Sequence, residues 1–393
     1  MSHTPTAQSQ SSALWALIFG NFVIGTGILL PAGLLNPIAQ EFNITSDVAG
    51  RLALVGGIVV ALGAPLFATW TSKMDRRVLL TGSLVLYALG HITAALIPSF
   101  TLQLVIRAIT VVGAAIFTPQ AAATVGLLMP PEKRAATISF IFIGWSAAAA
   151  AGIPLGNYLA TVIDWREVYM LMAGLCVLGA GAVWFTLPSG LRVQPIGLAA
   201  WIKAFASPVL LLVYVVTALS MAGQFTMLSY IAPMMRDGFH VEPVFISVAF
   251  AIVGMSGVMG NSLATRFVQK VGTDQVIAVG LAALAIGFLG FGIFFGHYWP
   301  AMAFAILWGL GSFSSNSLQQ SRLATLAPSI ASVAIALNTS FVYVGQSSGA
   351  GIGGELLRRG SMPFMPWMAM GLMCVALALS LLATKIAAHW TNN

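Results

Sequence analysis

The chain has 393 residues, of which 59% are Ala, Val, Ile, Leu, Met, Phe, Trp, Tyr or Cys and only 7% are charged, against roughly 25% charged residues in a soluble domain. That composition excludes a soluble globular protein, and the formal charge of +7 is spread over many short loops, which excludes a nucleic-acid-binding surface. A polytopic membrane protein remains.

Apolar runs long enough to cross ~30 Å of hydrocarbon lie near 14–36, 48–70, 77–98, 101–126, 136–160, 167–187, 208–233, 244–267, 275–296, 300–325, 330–356 and 364–387. Without period-two alternation they read as helices rather than barrel strands. The fold class is therefore all-α, with twelve membrane spans. The first 13 residues are polar and lack the basic start of a cleaved signal, so span one is expected to stay in the mature protein.

Span one, GNFVIGTGILLPAGLL over residues 20–35, carries Asn21 and Thr26 but no acid. Asp47 stands just before span two, and Lys73, Arg76 and Arg77 lie between spans two and three. His91 in span three and Arg107 in span four each sit about 10 Å from the same predicted boundary at 1.5 Å per residue, so antiparallel neighbours can bring them together. Arg107 reads as the one charge well inside a span. Arginine cannot give up its proton, whereas histidine titrates near neutrality; a hydrogen-bonded packing role is the alternative for His91. The candidates for carrying a proton are His91, Glu355 at the end of span eleven and Asp47, with Arg107 as their fixed-charge partner.

Further along, Thr118 is in span four and Gly152, Pro154 and Gly156 are in span five. Thr217, Ser220 and Gln224 share one face of span seven, and Trp308, Ser312, Ser315, Asn316 and Gln319 share one face of span ten; span eleven adds Asn338, Tyr343 and Gln346. In lipid such polar faces turn toward protein or a water-filled cavity, so these residues either line a path or join helices by hydrogen bonds. Gly345–Gly349 matches G-x-S-x-G but lies within a helix, where the strand-to-helix elbow of a hydrolase cannot form. No metal-binding, redox or phosphate-loop motif occurs, and Cys176 and Cys374 read as apolar fillers rather than a disulfide. No cofactor and no metal are expected.

The chain echoes itself at half its length. GIPLGNYL at 152–159 returns as GAGIGGEL at 349–356, and at the same offset of 197 Gly57 meets Gly254, Gly63 meets Gly260 and Lys73 meets Lys270. Near spans one and seven the offset is 196, pairing Pro37 with Pro233. The expected division is an N-terminal six-helix bundle at 1–190, a cytoplasmic linker at 191–207 and a C-terminal six-helix bundle at 208–393. Gly152, Gly156, Gly349 and Gly353, with Gly254, Gly257 and Gly260, form small faces on which backbones can approach closely and slide.

Placing the N-terminus in the cytoplasm puts eleven basic residues on the inner side (Lys73, Arg76, Arg77, Lys133, Arg134, Arg192, Lys203, Arg266, Lys270, Arg322 and Lys385) and five on the outer, the asymmetry of the positive-inside rule. Both termini are then cytoplasmic, in a bacterial-type inner membrane.

On these residues the chain resembles the Major Facilitator Superfamily, in its drug:proton antiporter-like branch of sugar, nucleoside and drug efflux proteins. Gly152, Pro154 and Gly156 match the branch's fifth-helix signature in a shortened G-x-P-x-G form, Arg107 sits where its fourth-helix motif begins, and TSKMDRRVLL resembles the loop between spans two and three. That loop departs from G-x-x-x-D-R-x-G-R-R: Ala68, Ser72 and Asp75 replace the first glycine, the aspartate and the second glycine, leaving Lys73, Arg76 and Arg77. The resemblance implies a cavity enclosed by spans one, four, seven and ten, to which Asn21, Thr26, Arg107 and Thr118 contribute along with the two polar stripes.

Such a cavity carries one fixed positive charge and no embedded acid, which favours a neutral, zwitterionic or anionic small molecule over a cation. The expected function is secondary export by alternating access, coupled to protons, by a monomer in the bilayer; a coupled importer is the alternative, and an intramembrane enzyme or a receptor the remote one. The G-x-P-x-G signature tips the reading toward export.

Overall fold

The computed structural model describes residues 7–130, 137–138, 140–192 and 198–391. Helix stands at each of the twelve predicted positions. Eleven of them hold one long helix: Ala7–Gly33, Arg51–Trp70, Arg76–Leu96, Phe100–Leu128, Trp165–Thr186, Pro208–Leu228, Pro243–Val271, Thr273–Ile293, Tyr298–Leu326, Ala331–Arg358 and Met365–Thr391. Among the described residues nine helical segments are both long and apolar enough to cross a membrane. Spans ten and eleven, with 29 and 28 residues, have the length but are interrupted by polar side chains.

Span five departs from the expected single helix over 136–160. It runs as Ile143–Ala147, a π-helical turn over Ala148–Gly152, and Ile153–Leu159. The cause is local: Pro154 has no N–H to offer the carbonyl of Ala150, and the freed ladder widens by one residue. Span one also differs, because its helix starts at Ala7, inside the segment read as a polar tail. Within the expected linker, Leu198–Ala206 is a short helix whose Lys203 Nζ lies 3.3 Å from Ser329 Oγ.

Polar residues set several span ends. Asp75 caps span three by accepting from Arg77 N at 2.9 Å, and Asp164 caps span six by accepting from Arg166 N at 2.7 Å. Two arginines read as inner-side charges are buried: Arg76 donates to Gln120 Oε1 and to the Ser72 carbonyl at 2.5 Å, and Arg322 pairs with Asp274 at 3.0 Å while bonding Ser380 and Thr384. Arg107 is therefore not alone among buried charges.

Packing follows the halves. Span one lies against five and six, two and three against four, and three against six; equivalently, seven lies against eleven and twelve, eight and nine against ten, and nine against twelve. The contacts repeat residue by residue. A Cβ added to Gly152 would fall 2.9 Å from Thr26 Cγ2, and one added to Gly349 would meet the Ala222 carbonyl and stand 2.9 Å from Thr226 N. Thr26 and Ala222 are mates at the 196 offset, as Gly152 and Gly349 are at 197. Likewise Gly156 meets Leu30 at 2.6 Å where Gly353 meets the Thr226 carbonyl at 2.6 Å. The echo in the sequence is a repeated helix interface.

Candidate functional site

Spans two with eleven and five with eight make the junction between the two sets of helices. A Cβ on Gly57 would meet Ser347 Oγ and stand 3.1 Å from Ser347 N, while one on Gly254 would stand 2.6 Å from Ala150 Cα. Ala150 and Ser347 are mates at 197, so the two junctions are copies of each other. Both lie toward the end of the bundle that carries Glu41, Asp47, Asp237 and Glu355, the predicted outer end. There Tyr230, buried at the end of span seven, donates to the Ala350 carbonyl at 2.9 Å and fills the space over Gly50. Asn157 ties the same end together. Its Nδ2 donates to the Gly33 carbonyl at 2.6 Å and its Oδ1 accepts from Ser247 Oγ at 2.8 Å, linking spans one, five and eight.

Arg107 and His91 converge as their depths predict, and the meeting point is Gly27 of span one. Pro31 lacks the N–H that would bond the carbonyl four residues back, so the Gly27 carbonyl is left without its helical donor. Arg107 supplies one: Nη1 donates to Gly27 O at 2.9 Å and Nη2 to Ile28 O at 2.8 Å. The guanidinium lies against Gly56, whose added Cβ would be 3.3 Å from Nε, and Nε itself makes no hydrogen bond among the described residues. His91 packs on the other side of Gly27, between the rings of Tyr87 and Tyr169 at 4.6 and 5.4 Å. Its Nδ1 lies 2.7 Å from the Tyr87 carbonyl, so Nδ1 carries the proton, and Nε2, without a partner among the described residues, presents a lone pair in the neutral ring.

The other predicted polar residues are buried but divide into small sets. Thr217 donates to Asn338 Oδ1 at 2.7 Å, joining spans seven and eleven, and Gln224 Nε2 bonds the Ser220 carbonyl at 3.2 Å. Asn21 donates to the Ile141 carbonyl at 3.2 Å, Thr118 accepts from Trp145 Nε1 at 3.4 Å, and Thr26 is packed on Gly152. Trp308 turns toward span nine, its ring 5.2 Å from that of Phe288. Ser312 and Ser315 bond their own helix at the Trp308 and Gly311 carbonyls, at 2.9 and 2.6 Å. Gln319, Tyr343 and Gln346 are buried, and the Gln319 Oε1 makes no bond among the described residues; the side chain of Asn316 lies outside the described residues.

Glu355 and Asp47 are remote from this interior. Glu355 is held by Arg358 and Arg359 at 2.6 and 2.5 Å on the acidic rim, and Asp47 borders a groove beside Arg51, Arg236 and Arg358. Lys73 is exposed, and Arg77 lies over the Trp184 ring at 4.6 Å. Sequence reasoning missed Asn157, Ser347 and Tyr230. An Asn one residue after Gly156 in an apolar span was the available signal for the first.

Comparison with known proteins agrees with this architecture. Residues 17–350 match the family described as Major Facilitator Superfamily. Similar proteins include the "Uncharacterized MFS-type transporter YbcL" of Bacillus subtilis, 25% identical over 94% of this chain and 95% of its own length. The "Inner membrane transport protein YdhP" of Escherichia coli is 27% identical over 94% of each, and a "Probable sugar efflux transporter" of Helicobacter pylori 28% identical over 86% of each. Among solved structures, a D-xylose–proton symporter superposes with a TM-score of 0.78 at 16% identity, covering 94% of this chain and 96% of that one. The chain belongs to the Major Facilitator Superfamily: it is a multi-pass membrane transporter, not an enzyme.

Proposed function

We propose that the protein exports a small neutral, zwitterionic or anionic organic molecule across a bacterial-type inner membrane, coupled to proton entry, by rocking residues 1–190 against 208–393 about a site between them. The observation that carries the substrate class is Arg107. Its charge is met by two backbone carbonyls and, among the described residues, by no carboxylate, so the interior keeps a positive potential that repels a bare cation and accommodates an anion or a polar neutral solute. Relatives named for sugar efflux support both the neutral polar class and the outward direction.

His91 is the proton candidate at the right depth. Its free Nε2 stands over Gly27, whose carbonyl holds Arg107, so a proton arriving at Nε2 and a change in the Arg107 contact act on the same turn of span one. Alternating access then has one pair of junctions, Gly57 with Ser347 and Gly254 with Ala150, that must part when the predicted outer end opens.

The test is accumulation by energised everted vesicles of a panel of neutral, zwitterionic, anionic and cationic solutes. Export predicts accumulation of one of the first three classes, collapsed by a protonophore and lost in Arg107→Ala. Accumulation of cations alone, or accumulation confined to right-side-out vesicles, would overturn the reading.

A further inference from the structure

A groove of about 650 Å³ opens on the membrane-facing side where span two crosses span eleven beside span twelve. Leu54, Ile58, Gly351, Ile352, Leu356 and Met368 make its walls apolar, and Glu355 and Arg359 close its predicted outer end. Ile58 and Met368 are 43% and 42% exposed, so the groove faces the hydrocarbon rather than the interior of the bundle. From Arg359 down to Ser348, also on the groove, is eleven residues of helix, about 16 Å at 1.5 Å per residue.

The pseudo-symmetry of the chain supplies a control. The junction of spans two and eleven has a copy in spans eight and five, registered by the paired contacts of Gly57 with Ser347 and Gly254 with Ala150. At 197 positions earlier, Ser348, Glu355 and Arg359 become Ala151, Tyr158 and Val162, and Gly351 becomes Pro154. The helix crossing does not require the charged end, because the copy of the crossing is built without it. Gly351 keeps the groove open: a Cβ there would meet Leu54 Cδ1 at 3.2 Å and nothing else.

We propose that this groove is a binding site for one anionic phospholipid of the surrounding bilayer, with an acyl chain laid along Gly351 and Ser348 and the phosphate at Arg359. The occupant follows from position and charge. In a membrane the groove is filled by whatever the bilayer offers, and its wall spans about one leaflet of a ~30 Å hydrocarbon core. At its mouth Arg358 and Arg359 share the carboxylate of Glu355, at 2.6 and 2.5 Å, while Asp47 lies beside Arg51 and Arg358, so that these three arginines and two acids leave one net positive charge. The side chain of Arg359 is 67% exposed, so a phosphate can reach it. A lipid wedged there contacts both halves, Leu54 and Ile58 from the first and Gly351 and Ile352 from the second, and so stabilises the closed junction.

Native mass spectrometry of the intact protein in mild detergent, titrated with phosphatidylglycerol or phosphatidylcholine, tests this. Wild type should retain one phosphatidylglycerol in preference to phosphatidylcholine, and Arg359→Gln should weaken that preference about five-fold, the change expected on removing one basic residue from a membrane surface. Gly351→Leu should reduce retention of both lipids, while Val162→Gln, at the matching position of the copied crossing, should change neither. Arg359 lies on the surface, so its variant remains folded and readable should Gly351→Leu not fold. Equal retention of the two lipids by wild type, or no effect of Arg359→Gln, would overturn the proposal, as would an equal effect of Val162→Gln.

Discussion

Gly254 of span eight rests on the backbone of Ala150 in span five, and an added Cβ would stand 2.6 Å from Ala150 Cα, closer than any side chain tolerates. Its mate Gly57 makes the copied contact with Ser347. Both contacts join the two halves, so enlarging either residue penalises the packed state without touching the inside of either bundle. Gly57→Leu and Gly254→Leu should each abolish most transport, since overpacking of about 1–3 kcal/mol shifts a two-state balance by roughly five- to 150-fold. Expression and thermal stability in detergent should stay close to wild type; transport assayed beside a melting curve separates the two effects.

Gly349 behaves differently although its spacing looks the same. Its neighbours Ala222 and Thr226 belong to span seven of the same half, so Gly349→Leu forces apart two helices packed within one bundle. The expected result is a lower melting temperature and poor yield, with Gly152→Leu similar but milder because the Thr26 side chain can rotate away. A stable but inactive Gly349→Leu protein would show that spans seven and eleven do move relative to each other.

The difference between these glycines marks where the sequence stops being legible. The 197 offset, the twelve spans and the convergence of His91 on Arg107 follow from spacing and depth, which a helix converts directly into position. Partners do not follow, because lipid is as apolar as leucine and an apolar helix shows no stripe to separate its lipid face from its protein face. Hence Gly152 and Gly254 read as one class of small residue, yet one is internal and the other joins the halves. Trp308 read as cavity-facing because it shares a stripe with Ser312, but its ring finds Phe288 of span nine. Arg76 and Arg322 read as inner-side charges, and their burial depends on Gln120 and Ser380, remote residues that only folding brings near.

Arg107 and Pro31 should be energetically coupled. Arg107→Ala leaves the buried Gly27 carbonyl without a donor, at about 1–3 kcal/mol. Pro31→Ala restores an N–H four residues along and with it the helical bond. In the double variant the stability lost with Arg107 should be partly recovered, with a coupling of about 0.5–3 kcal/mol in a double-mutant cycle of melting data. Strict additivity would mean that Arg107 does not serve the proline break.

His91→Gln keeps a donor for the Tyr87 carbonyl but cannot take a proton. Solute counterflow, which needs no net proton movement, should persist, whereas uphill accumulation driven by a pH gradient should fall to background. Loss of both would make His91 a packing residue.

Asn157 offers a separate handle on the predicted outer end. Ser247→Ala removes only the bond to Asn157 Oδ1, and should raise labelling of a cysteine placed at Gln40 several-fold with little loss of stability, because a single neutral bond is worth about 1 kcal/mol. Unchanged labelling would show that this bond does not hold the end closed.

Rocking of the two halves about their shared junction can be followed by distance measurement. After Cys176 and Cys374 are replaced by serine, spin labels at Gln40 and Glu242 report the predicted outer end, and labels at Lys73 and Lys270 report the inner end, all four sites being exposed. Introducing Gly57→Leu with Gly254→Leu removes the close approach of the packed state. If the halves rock, the outer distance lengthens while the inner distance shortens in the same protein. Two distances that lengthen together, or an outer distance that does not change, would contradict it.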